Sequence, residues 1–305
     1  MISIIFIRSP KAYLPEIDAY LSYFNNLKGF KALEFTSSKE LASISEPFVL
    51  WEFKGFGRYK PRNCLLVHEY CSLSTPPFAR IKNTLKVKWN TKPGLRVFLN
   101  QSVKNNLGFN DGIPFCFRDM GISKAFCNTN KNAKKEYDFV YVGSITKSRG
   151  IDRLLRAFCE RPNGKLCLIG TPEVGIYRRY KQHKDIVFTG KVPYSEVPLI
   201  ASKARYGINY IPNKQPYSLQ TSTKLLEYLA VGLKVVTTDY QWVRTFEKQN
   251  ECSFYKLYDS PLVFDLSEIE SYDYVSNFRA EDYLWERVIK KSNIEQHLRG
   301  HGLFV

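Results

Sequence analysis

The chain has 305 residues, 44% hydrophobic and 24% charged, with 45 Lys+Arg against 29 Asp+Glu and a net charge of +16. This composition excludes a largely disordered chain, and the length accommodates two domains with a sizeable core. No apolar run approaches the ~20 residues of a membrane-spanning helix. The opening MISIIFIRSPK has a short apolar part and no small-residue cleavage site, so it reads as a first strand rather than a signal peptide.

From that strand onward, short apolar segments rich in β-formers alternate with helical patterns. The strand-like segments are residues 2–7, 32–35, 48–53, 64–68, 96–99 and 115–117. Helical spacing marks residues 14–27 (Leu14, Ile17, Leu21, Phe24) and 101–107. Residues 119–136 turn polar, with little periodicity, and read as a linker. A second series follows, with strands at 139–142, 165–169, 186–189, 206–211 and 234–238 and helices at 151–159, 173–182, 194–202 and 222–231. Glycines 143, 170 and 190 stand where strands end. Alternation of this kind implies an α/β chain of two Rossmann-like units, each a mostly parallel sheet covered by helices. Ligands of such sheets bind at the C-terminal strand ends.

The charge is uneven. Before residue 137 there are 21 basic and 10 acidic residues, a balance of +11, and the remainder carries +5. No acidic residue lies between Glu69 and Asp111, a window holding Arg80, Lys82, Lys86, Lys88, Lys92, Arg96 and Lys104 among Phe78, Trp89 and Phe98. Such a stretch suits nucleic acid, an anionic membrane surface or a phosphorylated substrate, or is simply a solvated helix face. It carries no zinc finger, RNP-like motif or helix-turn-helix. The seven cysteines form no C-x-x-C pair and read as reduced thiols. His297 and His301 are four apart beside glycines, a poor frame for a metal.

Three segments of the second series carry chemistry. V-G-S-I-T-K-S-R-G-I-D-R-L-L-R-A-F (142–158) is a strand, a loop with Lys147 and Arg149, and a helix, an arrangement that cradles anions. V-F-T-G-K-V-P-Y-S-E-V-P (187–198) is a strand, a glycine turn and a helix opened by Tyr194 or Ser195. T-S-T-K-L-L-E-Y-L-A-V-G-L-K-V-V-T-T (221–238) starts a helix with hydroxyls and Lys224, places Glu227 on nearly the same face, and runs through Gly232 into a strand. Taken singly, Arg149 is equally a surface cation, Ser222 an ordinary N-cap, and Glu227 half of an ion pair with Lys224.

In this order and spacing the segments resemble the donor-binding half of retaining GT-B glycosyltransferases, specifically glycosyltransferase family 4, the group 1 glycosyltransferases. R-D-M-G-I-S (118–123) is similar to that family's hinge, and Y-L-W-E-R-V-I-K-K (283–291) to its terminal crossing helix. The resemblance covers roughly residues 119–295, and the first 118 residues match in architecture only. It implies two Rossmann-like domains facing a central cleft: an acceptor domain at 1–120, a hinge at 121–136, a donor domain at 137–275, and a helix at 276–305 that crosses back.

By the same resemblance, Arg149 and Lys224 bind and stabilise the diphosphate of a nucleotide-sugar. Glu227 holds the ribose, the backbone around Gly190 and Val192 meets the base, and Gly143 and Ser144 meet the phosphates. Ser222 and Thr223 open the phosphate-facing helix. No metal and no cofactor are implied. The family's E-x7-E pattern has Leu219 in its first position, leaving Tyr217, Gln220 or Thr221 to contact the donor sugar. His68 takes the place of the histidine that the family sets over that sugar. The family's Gly-Gly loop after the first strand is replaced by R-S-P-K-A-Y-L-P-E (8–16).

The expected activity is retaining, metal-independent sugar transfer from a nucleotide-diphosphate sugar to a saccharide acceptor, in surface polysaccharide synthesis. Arg80, Lys82, Lys86 and Lys88 would meet a polyprenyl-diphosphate-linked acceptor or an anionic membrane. The expected location is the cytoplasm, peripheral to the inner membrane face. A nucleotide-sugar epimerase of the same fold is the runner-up, and a nucleic-acid-binding protein ranks third.

Overall fold

The computed structural model describes residues 1–8, 14–53, 56–59, 61–130, 133–258 and 260–302. Residues 9–13 of the 8–16 loop therefore lie outside the described residues. Two compact units are built: Met1–Gly121 with Leu219–Thr221 and Leu284–Val305, and Ile122–Ser218 with Ser222–Tyr283.

The first unit runs β1 (Ile2–Ile7), α1 (Pro15–Asn25), β2 (Phe30–Phe35), β3 (Phe48–Phe53), β4 (Cys64–Tyr70), α2 (Ala79–Trp89), β5 (Leu95–Phe98), α3 (Gln101–Leu107) and β6 (Phe115–Phe117). Its sheet has the order β2-β1-β3-β4-β5-β6, parallel throughout. Near-continuous apolar strands such as ISIIFI and FVLWEF follow from having both faces covered. Pro15 starts α1 and Glu16 and Asp18 occupy its first turn, where fixed φ and negative charge both favour a helix N-terminus. α1 buries Ile17, Tyr20 and Phe24 against Phe6 and Trp51.

Glu69, on β4, is buried yet satisfied. It pairs with the buried Arg118 guanidinium and accepts from Trp51 Nε1 at 2.7 Å and from Tyr20 Oη at 3.2 Å. α2 is the exception to burial, since none of its eleven residues is buried.

The second unit runs α4 (Lys124–Cys127), β7 (Tyr137–Val142), α5 (Ile151–Cys159), β8 (Leu166–Ile169), α6 (Val174–Tyr180), β9 (Ile186–Gly190), α7 (Val197–Ala201), β10 (Ala204–Asn209), α8 (Thr223–Val231), β11 (Lys234–Thr238), α9 (Gln241–Asn250), β12 (Tyr255–Leu257) and α10 (Leu266–Ser271). The sheet order is β12-β11-β10-β7-β8-β9, again parallel. The chain builds outward from β7 through β9, then returns to the other side of β7 with β10. The switch point therefore lies between β7 and β10, the edge where open α/β sheets take ligands.

The alternation read from the sequence is thus realised as two parallel six-stranded sheets with helices. Several segments differ: α2, α9, β12 and α10 are not evident in the sequence, and the helix expected at 276–305 is two short ones, Trp285–Lys291 and Ile294–Arg299. The stretch read as a polar linker contains α4, capped by Ser123, and Phe126 within it is buried with its ring 5.3 Å from that of Tyr194. A single aromatic in a polar run has no period, so only its tertiary partner reveals the helix.

The chain closes with α11 (Trp285–Lys291) and α12 (Ile294–Arg299). Their Ile289, Ile294 and Leu298 join Ile17, Tyr20 and Phe24 in one core of the first unit. At ~1.5–3 kcal/mol for each fully buried aliphatic side chain, this docking is a substantial part of that unit's stability.

Candidate active site

The switch point of the second unit is shaped by glycine. Gly143, just past β7, and Gly170, just past β8, pass so close that a Cβ on Gly170 would lie 2.1 Å from the Gly143 carbonyl oxygen. Both have positive φ, and a side chain at Gly170 would fill the floor of the crevice. Gly143 N–H donates to the Ile169 carbonyl, and Gly170 N–H to that of Gly190, each at 2.9 Å, so the ends of β7, β8 and β9 are stitched together.

The loop after Gly143 is anchored at both ends. Ile145 is fully buried, and Tyr141 Oη donates to the Ser144 carbonyl at 3.1 Å. Gly150, at φ +74°, turns the chain from the short turn Lys147–Arg149 into α5. The Arg149 guanidinium lies 5.0 Å from the Tyr217 ring centroid, a cation–π distance.

α8 supplies the opposite wall. Ser222 caps it, accepting from Leu225 N–H at 3.4 Å and donating to Asn209 Oδ1 at 2.7 Å. Asn209, fully buried at the end of β10, donates to Thr237 Oγ1 and Tyr240 Oη, each at 3.0 Å. The N-terminus of α8 is therefore pinned to the ends of β10 and β11. Its first-turn N–H groups and dipole face the crevice.

Lys224, in that first turn, lays its ammonium 4.7 Å from the Tyr141 ring centroid, and the same ammonium lies 3.9 Å from where a Gly143 Cβ would stand. Burial, with the Arg149 charge adding to it, pulls the Lys224 ammonium down to about 7, opposed by Glu227. One turn on, the buried Glu227 accepts a hydrogen bond from Tyr194 Oη at 2.5 Å on Oε1. Burial pushes its carboxyl up to about 7, against the pull of Tyr194 and Lys224. Two cations, a helix N-terminus and a carboxylate whose charge states balance near neutrality can receive a diphosphate beside a polyol.

Of the residues read from sequence, Gly143, Ser144, Arg149, Tyr217, Ser222, Thr223, Lys224 and Glu227 belong to this arrangement. Gly190 is tied in through Gly170, and Val192 follows it two residues on, half-buried. His68 is elsewhere. It is fully buried in the first unit's sheet, with Nδ1 3.5 Å from Tyr70 Oη and Nε2 3.5 Å from Glu52. Arg80, Lys82, Lys86 and Lys88 lie on α2, where Lys82 Nζ donates to the Thr75 carbonyl at 3.2 Å. Partial burial and the neighbouring Lys82 lower Lys86 from the ordinary lysine value. Leu219 is buried in the first unit beside Tyr70 and Phe98, and its carbonyl accepts from Asn100 Nδ2 at 3.0 Å. Tyr141 and Asn209 escaped the sequence reading, and Tyr194 entered it only as a helix opener. Asn209 was the most legible of them, as a lone amide in the apolar strand Y-G-I-N-Y.

Residues 136–256 match the family model described as Glycosyl transferases group 1. No curated protein matches the sequence. Among solved structures, the chain is similar to AviGT4, a glycosyltransferase involved in avilamycin A biosynthesis, at 12% identity over 98% of each chain with a TM-score of 0.62. It is also similar to sucrose-phosphate synthase from Thermosynechococcus elongatus, at 13% identity over 97% of this chain and 94% of that one, with a TM-score of 0.58. Anabaena HepE in complex with UDP matches at 11% identity over 96% and 95%, with a TM-score of 0.58. At such identities the likeness is one of fold. The chain has the GT-B fold, and its residues 136–256 are similar to the group 1 glycosyl transferases.

Proposed function

We propose that the protein transfers a sugar from a nucleotide-diphosphate sugar to a saccharide acceptor, with retention of anomeric configuration. The observation that carries this reading is the convergence of Lys224, Arg149 and the α8 N-terminus on the glycine-floored switch point, with Glu227 one turn away. As the bond from the sugar to the diphosphate breaks, negative charge grows on the leaving oxygen. Arg149, Lys224 and the first-turn N–H groups stabilise that charge where it develops. Glu227 accepts from the ribose hydroxyls. The reading calls on no metal or cofactor, because these cations supply the neutralising charge. Retention rests on the family resemblance.

The acceptor end of the reaction is assigned to the first unit, and a lipid-linked glycan at the inner face of the cytoplasmic membrane is the acceptor we favour. α2 supports this, with Arg80, Lys82, Lys86 and Lys88 beside Phe78, Ile81 and Trp89, which are 70%, 57% and 54% exposed. Cations flanking exposed aromatic and aliphatic side chains suit an anionic interface. No helix among the described residues is long and apolar enough to cross a membrane.

Thermal-shift measurements with UDP, GDP, ADP and CMP test the donor site. One nucleotide should stabilise the protein, and Arg149→Ala and Lys224→Ala should abolish the shift. UDP, which the Anabaena neighbour carries, is the first to try. Product analysis with donor and glycan acceptors separates transfer from isomerisation: donor isomerised without transfer would establish the epimerase reading. Sedimentation with anionic liposomes should weaken with salt and with Lys82→Glu, Lys86→Glu and Lys88→Glu together, and salt-independent binding would count against the membrane assignment.

A further inference from the structure

We propose that the first unit holds a second binding site, for an acidic saccharide segment, at the end of its sheet opposite the strand C-termini. The ligand class rests on the glycosyltransferase reading. Two adjoining depressions of about 420 and 350 Å3 share Pro114 and His297. Each has the size of a small-molecule site. They open beside the first residues of β5 and β6, whereas a Rossmann-like sheet takes its principal ligand at the other end. The site is therefore additional to any acceptor position at the C-terminal strand ends.

Three features give it chemistry. Arg96 on β5 is 4% exposed and grips Asp111 through both terminal nitrogens, at 2.5 and 2.7 Å, with its guanidinium 3.9 Å from the Phe109 ring centroid. Arg96 lines the larger depression, with its Nε sealed beneath the surface. Lys104 holds its ammonium 4.4 Å from the Phe115 ring centroid and forms no ion pair among the described residues. Phe115 is 42% exposed, so it presents an apolar face at the depression's edge. His297, from α12, adds a ring nitrogen at the junction of the two depressions.

A hexuronate or sugar phosphate matches this set. Its C–H face covers Phe115, its anion meets Lys104 in a charge-assisted hydrogen bond, and its hydroxyls reach Asp111. A membrane is disfavoured because the cations line a depression rather than a raised face. A glycan growing by repeated transfer would be held here by units distant from the reacting end.

Isothermal titration of the full chain with an oligogalacturonate, a neutral oligosaccharide of equal length and inorganic phosphate tests the proposal. The acidic oligosaccharide should bind, and Lys104→Glu and Phe115→Ser should each weaken it by about tenfold or more. The neutral oligosaccharide should bind far more weakly. Equal binding of the two oligosaccharides, insensitivity to both variants, or phosphate binding as tightly as the oligogalacturonate would overturn it. UDP stabilisation, followed in the same samples, reports separately on the donor site and should be unchanged in both variants.

Discussion

A diphosphate bound beside Lys224 requires the ammonium form, yet in the unliganded protein that group titrates at about 7, because it is buried and faces Arg149. At pH 7 about half of the molecules carry the charge, and at pH 9 about 1% do. Binding at pH 9 must therefore draw in a proton, and the Kd for UDP should rise about 50-fold between pH 7 and 9, near 2.3 kcal/mol. Glu227 produces the opposite limb. Its carboxyl, pushed up to about 7, must be ionised to accept ribose hydroxyls, so affinity should also fall by about 50-fold from pH 7 to 5. Affinity should peak near neutrality. Calorimetry from pH 5 to 9, in buffers of differing ionisation heat, reads both affinity and proton uptake. Lys224→Arg, always charged, should remove the alkaline limb, and Glu227→Gln the acid limb. An affinity unchanged between pH 7 and 9, or an alkaline limb that survives Lys224→Arg, would refute the assignment of Lys224 to the diphosphate.

Other consequences are equally direct. The folded state holds Lys224 below its unfolded value of 10.5, so its ionisation costs stability fully below pH 7 and progressively less as pH rises to 10.5. Lys224→Met should accordingly stabilise the unliganded protein at pH 7, on the order of 2 kcal/mol by chemical denaturation, while abolishing stabilisation by UDP. Tyr194→Phe removes a hydrogen bond that lowers the Glu227 carboxyl, so the acid limb of the binding profile should move up by about one pH unit. Gly170→Ala drives a Cβ onto the Gly143 carbonyl and should cost about 3 kcal/mol or more in stability, with loss of nucleotide binding. Arg118→Met leaves Glu69 charged and buried and should cost about 3–5 kcal/mol in urea unfolding, a loss that adding Glu69→Gln should partly recover.

The fold was legible because parallel strands buried on both faces write apolar runs, and their connecting helices write a second period. Glycines 143, 170 and 190 could be seen at strand ends, but not that two of them touch. Arg149, Lys224 and Glu227 stood out because each lies within a turn or so of a strand-to-helix passage, where local order already predicts position. The roles of Tyr194 and Asn209 were hidden for the opposite reason: their partners Glu227 and Thr237 lie on other segments, and only packing brings them together. His68 shows the limit of strand-end reasoning. β4 is an interior strand covered on both faces, so a histidine two residues before its end is sealed between Tyr70 and Glu52. Helix α2 was visible as charge, but not as a helix that buries nothing.

The docking of α11 and α12 onto α1 has a consequence for how the protein is made. Ile289, Ile294 and Leu298 leave the ribosome after the whole second unit, yet they complete a core begun by Ile2 and Ile4. Most of the second unit has emerged by then and can fold as a continuous stretch, while the first unit waits with Tyr20, Phe24 and Phe30 incompletely covered. The first unit thus matures after the second. Nascent chains halted after the second unit should expose apolar surface on the first unit and recruit chaperones there.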